Sequence, residues 1–145
     1  MERSFGQGMT DRQIVVLKSG FLIVAAFIVI LIALAYGINP VWFVATFFHG
    51  SMLDTNWAHL LRAVMGLYIF MGIFWLYAAR QPALRNTALL TTIVFAGGLV
   101  SGRILSLMTD GMPSPLLLFY LASEGVLIPI AIAIYRLPEP SLRAL

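Results

Sequence analysis

Residues 21–36 read FLIVAAFIVILIALAY, and with Ser19 and Gly20 they form an uncharged run of eighteen residues. Wound as a helix at about 1.5 Å per residue, the run rises roughly 27 Å, close to the thickness of a bilayer's hydrocarbon core. A stretch apolar on every face buries itself in protein or in lipid, and here it reads as a first membrane span. Lys18 stands at its edge, where its stem can lie along apolar surface while the ammonium snorkels to the headgroups. Ahead of it, Thr10 and Gln13 have the spacing of a capping box that starts the helix before the membrane. Ala33-Leu34-Ala35 offers the small-residue pattern of a signal cleavage site, but the polar lead is long for a signal peptide, and the span reading stands.

Working outward, three further segments have the same character, at roughly residues 57–79, 86–108 and 115–135, each long enough to cross with some tilt. Breakers separate them. Arg80-Gln81-Pro82 makes a tight turn, and the run from Asp110 to Pro115 gives a turn followed by a capped helix start. Gly37-Ile38-Asn39-Pro40 ends the first span, and Asn39 before Pro40 reads as the cap and first position of a short helix, VWFVATFFH. Its Trp42, Phe43, Phe47 and Phe48 suit the depth of the headgroups, so it lies at the interface or plugs the bundle. Asp54-Thr55-Asn56 supplies cap residues for the second span. Short connections imply antiparallel neighbours. The expected fold is an all-α membrane protein: four transmembrane helices in an up-down antiparallel bundle, a short interfacial helix after the first span, and one membrane domain over residues 1–145.

Composition agrees. Hydrophobic residues make up 61% of the chain and charged ones 10%, with a mean hydropathy of +0.95, whereas soluble domains carry about 25% charged residues. Cysteine is absent, which removes disulfides, thiolate catalysis, thiolate zinc sites and iron–sulfur ligation. The net charge of +3 comes from residues at segment ends and not from one patch, so no nucleic-acid partner is expected. Arg3, Arg12, Lys18, Arg80, Arg85, Arg136 and Arg143 all fall on one side, and the opposite loops hold Asp54, Asp110 and His49 without lysine or arginine. By the excess of basic residues in cytoplasmic loops, both termini are expected in the cytoplasm.

Three charges remain inside the spans: Arg62, Arg103 and Glu124. Each costs roughly 2.5 to 3.5 kcal/mol at a helix centre, so such groups face the bundle and mark function by default. Arg62 precedes Arg80 by eighteen residues and Arg103 follows Arg85 by eighteen, which sets both about 27 Å from the basic end. Glu124, twelve residues before Arg136, is deeper, at roughly 18 Å. A helical side chain leans toward its own N-terminus, so Arg103 leans inward, Glu124 leans outward, and the two can meet as a salt bridge. His59, Arg62 and Gly66 share one stripe, as do Arg103 with Ser106 and Tyr120 with Glu124. His59, Arg62, Arg103, Ser106, Tyr120 and Glu124 together form a candidate polar pocket opening outward. The plainer reading stays open beside it: Arg62 snorkels to phosphates, and Arg103 with Glu124 is a structural pair. His49, Asp54 and His59 make only a weak metal set, and no metal or cofactor is expected. Gly98 and Gly102 allow close backbone approach, within the bundle in the first instance or else to another copy.

The segments NWAHLLRAVMGLYIFMG and GGLVSGRILSLMTDGMPSPLLLFYLASEGVLIP carry a combination of motifs: His59 with Arg62, Gly102-Arg103 with Ser106, Asp110-Gly111 with Pro113, and Glu124. In these the chain resembles a family of short bacterial four-helix membrane proteins known only as a domain of unknown function, over roughly residues 37 to 136. The resemblance implies a four-helix fold in the bacterial cytoplasmic (inner) membrane and assigns no reaction.

Three function classes follow. The leading one is a non-enzymatic membrane protein that binds a lipid, a quinone or another amphipathic ligand, or serves as accessory subunit of a membrane complex; a bundle this small has little room for a water-filled path and its walls. The second is an enzyme on a lipophilic substrate, with Glu124 or His59 as acid or base and an arginine stabilising negative charge. The third is a homo-oligomeric channel or transporter using Glu124 and Arg103 as a relay.

Overall fold

A computed structural model describes residues 8–48 and 54–138. Among them run five helices: α1 (Asp11–Gly37), α2 (Pro40–Phe47), α3 (Thr55–Ala79), α4 (Pro82–Thr109) and α5 (Pro115–Tyr135). All but α2 are long and apolar enough to cross a membrane. The chain is an all-α membrane protein with four transmembrane helices.

The helix ends follow local chemistry. At the start of α1 the capping box is closed in both directions: Thr10 N–H donates to Gln13 Oε1 at 2.8 Å, and Gln13 N–H donates to Thr10 Oγ1 at 3.3 Å. Asn39 caps α2 by accepting from Trp42 N–H at 3.1 Å, with Pro40 in the first turn. Asp54 precedes α3 and accepts from Asn56 N–H and Asn56 Nδ2. Between α4 and α5 the chain reverses through Gly111, whose φ of 93° lies in the left-handed region that a side chain disfavours. The cap expected at α5 differs in detail. Ser114 occupies the position but its hydroxyl makes no cap bond; its carbonyl instead accepts from Leu117 and Leu118 N–H.

Two compact units divide the chain, one of Met1–Leu22 with Ala78–Leu145 and one of Ile23–Tyr77. In the first, α4 and α5 pack together, as the short turn between them requires. Arg85, Ala88, Leu89, Thr92 and Ala96 form the buried stripe of α4 at helical spacing, and Thr92 returns its hydroxyl to Ala88 carbonyl oxygen at 2.9 Å.

The second unit holds the rest of α1 with α2 and most of α3. Two glycines set the approach of α1 and α3. A Cβ at Gly37 would collide with Met65, and one at Gly72 would sit 2.6 Å from Ile30 Cγ1 and 3.2 Å from Ala26 carbonyl oxygen. Aromatic rings hold α2: Phe43 is buried, with ring centroids 5.8 Å from Tyr36, 5.0 Å from Phe47 and 5.4 Å from Phe48.

The small-residue motif of α4 does not behave as the sequence suggested. A Cβ built on Gly98 or Gly102 meets nothing within 4 Å, so neither serves close packing against another described residue. Large apolar side chains such as Val24, Phe70, Val94 and Phe119 point outward from all four spans, which lipid tails solvate and water would not.

Candidate functional site

Arg103 lies six residues before the end of α4 and Glu124 nine residues into α5, so both sit about 9 to 14 Å below the turn that joins the helices. Each side chain leans toward the N-terminus of its own helix, one down and one up. The two meet. Arg103 Nε donates to Glu124 Oε2 at 2.8 Å, and Nη2 donates to Oε1 at 3.1 Å. This is a two-point, charge-assisted pair between neighbouring spans. Tyr120, one turn before Glu124, places its ring 5.7 Å from the guanidinium carbon, within reach of a cation–π contact. The pair is not sealed: the side chain of Arg103 keeps 23% of its surface open and that of Glu124 17%.

Beside the pair a small cleft opens between α4, the turn and α5. Arg103, Ser106 and Leu107 line one side; Pro113, Leu117 and Leu121 line the other, around a cavity of about 50 Å³. Its polar groups are therefore on α4, and its remaining walls are apolar. A larger hollow at the start of α1 is bordered by Met9, Arg12, Gln13, Val16 and Leu17. All of these but Met9 stand on one helix, so among the described residues nothing encloses it.

Of the six residues singled out from the sequence, Arg103, Ser106, Tyr120 and Glu124 come together in the first unit. His59 and Arg62 belong to α3 in the second unit, where both are exposed. His49 lies outside the described residues, and with it part of the weak metal set with Asp54 and His59. Among the described residues no group of three or more metal-binding side chains is present.

In comparison with protein-family models, residues 17–135 match the family described as Domain of unknown function (DUF4345). The chain belongs to this family. The match starts about two turns into α1, so it takes in the first span as well as the motifs of the later helices. Comparison with curated proteins and with solved structures yields no match.

The DUF4345 chain carries a second polar cluster that sequence reasoning missed. Lys18 does not snorkel. It is fully buried, and its ammonium donates to Asn86 Oδ1 and to Leu137 carbonyl oxygen, both at 2.8 Å. The reason is position: α1 begins at Asp11, seven residues earlier, so Lys18 already lies about 10 Å along a packed helix. Next to it, Arg85 is buried and its Nε donates to Ser19 Oγ at 3.1 Å, while Ser19 donates to Ala79 carbonyl oxygen at 2.8 Å. Two cations counted as orientation signals thus also tie α1 to the start of α4 and to Leu137, two residues past the end of α5. Arg12, Arg80 and Arg136 remain exposed at helix ends; Arg3 and Arg143 lie outside the described residues. No spacing in the sequence separates Lys18 and Arg85 from cations that face the headgroups, because their partners come from distant segments.

Proposed function

We propose that this chain is a non-enzymatic membrane protein that binds the polar head of an amphipathic molecule, a lipid or a quinone-like compound, beside Arg103 and Ser106. One observation carries the reading: the cleft between α4 and α5 joins a partly open guanidinium and a serine hydroxyl to walls of leucine and proline. Binding sites for small molecules combine those features, a mostly apolar lining with few placed polar groups. Acid–base catalysis is less well supported, because both oxygens of Glu124 are occupied by Arg103. The same reading puts the protein in a bacterial inner membrane with both termini in the cytoplasm, supported by the exposed Arg12, Arg80 and Arg136.

Extraction of the protein with its native lipid, followed by mass spectrometry of everything retained, tests this. One amphiphile should be enriched over bulk lipid in the wild type and lost from Ser106→Leu, which fills the cleft from an exposed position, at unchanged melting temperature. Retention of bulk lipid alone, or enrichment indifferent to Ser106→Leu, refutes the binding site. A foreign subunit in place of a small molecule points to the accessory role.

A further inference from the structure

We propose that the head taken by this cleft is uncharged: a carbonyl or hydroxyl group of a neutral amphiphile, and not a phosphate or carboxylate. The inference rests on the reading above that the cleft binds an amphiphile, and it adds the chemistry of the ligand.

A guanidinium alone in a membrane attracts anions, but Arg103 is already matched at two points by Glu124, so the site as a whole is neutral. Adding an anion would strip its hydration and leave one net negative charge in a medium that solvates charge poorly, beside a carboxylate that repels it. A neutral acceptor meets no such penalty. The donors for it are present: a guanidinium has five N–H groups, Glu124 takes two of them, and among the described residues no other hydrogen-bond acceptor meets the remaining three.

A cavity of about 50 Å³ has room for a few water-sized groups, which suits a carbonyl or a hydroxyl at the head of a longer molecule. The other polar group of the rim is Ser106, whose uncharged hydroxyl both donates and accepts and so pairs with a carbonyl or an alcohol.

Two sources share this chemistry, the ring carbonyls of a quinone and the free hydroxyl and ester carbonyls of a diacylglycerol. The experiment separates them. Full-length protein is reconstituted in nanodiscs of zwitterionic lipid and titrated with three probes of short chain length: decyl-benzoquinone, dioctanoylglycerol and dioctanoyl phosphatidic acid. At least one neutral probe should bind about tenfold more tightly than the phosphatidic acid, and the tighter of the two neutral probes identifies the source. Glu124→Gln removes the negative partner and leaves the arginine charge uncancelled, so phosphatidic acid should gain about tenfold and the preference should narrow or invert. Ser106→Leu, on an exposed position, should weaken the neutral probe in an otherwise intact protein and reports on the cleft even where Glu124→Gln does not fold. Wild-type protein that prefers phosphatidic acid overturns the proposal, as does a folded Glu124→Gln with unchanged preference. Failure of all three probes to bind instead refutes the amphiphile site on which the proposal rests.

Discussion

Separating Arg103 from Glu124 is the sharpest perturbation of the α4–α5 pair, because two hydrogen bonds of 2.8 and 3.1 Å join the charged groups of the two spans. Breaking a buried ion pair in a soluble protein costs about 3 to 5 kcal/mol. Interhelical hydrogen bonds in membranes give less, with couplings of about 0.6 kcal/mol on average and up to about 1.7, since the unfolded chain also finds partners in the bilayer. This pair is bidentate and charged, which raises the figure, and partly open, which lowers it. Arg103→Met should therefore cost about 2 kcal/mol, because it leaves a carboxylate alone among apolar groups. Glu124→Gln should cost less, since the amide keeps one acceptor oxygen of nearly the same shape. The double substitution should recover about 1 kcal/mol relative to the sum of the single ones. A double-mutant cycle of reversible unfolding in bicelles reads all of these directly. Strict additivity within about 0.3 kcal/mol would refute the pair as an energetic link, and single changes without effect would leave it a feature of the binding cleft alone.

Lys18→Met should lower stability by about 2 to 3 kcal/mol in the same assay, because Asn86 Oδ1 and Leu137 carbonyl oxygen lose their shared donor; an unchanged melting temperature would return Lys18 to the headgroups. Gly37→Ala should cost about 1 to 3 kcal/mol through collision with Met65. Gly98→Ala, whose Cβ meets nothing, should be neutral or stabilising by up to about 1 kcal/mol, and equal effects at the two sites would contradict the packing. Because the sequence has no cysteine, single cysteines at Gln81 and Met112 can be probed with an impermeant maleimide in intact cells. Only Met112→Cys should react from outside, and labelling of Gln81→Cys would invert the topology.

Much of this protein is legible without coordinates, and the reason is the solvent. Lipid offers no hydrogen bonds, so each span must satisfy its own backbone and be apolar along its own length, a property read locally. The four spans and the proline and glycine breaks between them follow from that. So do the caps at Thr10 with Gln13 and at Asn39 with Trp42, whose partners stand three residues apart. Arg103 and Glu124 were within reach because the connection is short and the lean of helical side chains has a fixed sense. Other features depend on which surfaces meet. Lys18 finds its partners 68 and 119 residues away, and in the sequence it cannot be told from a lysine at the headgroups. Gly37 is pressed against Met65 while Gly98 and Gly102 touch nothing, although the latter carry the recognisable motif. Local apolarity and chain reversal are written in adjacent residues; the burial of a cation, the use of a glycine and the cleft beside Arg103 arise from packing between helices, and tertiary structure alone decides them.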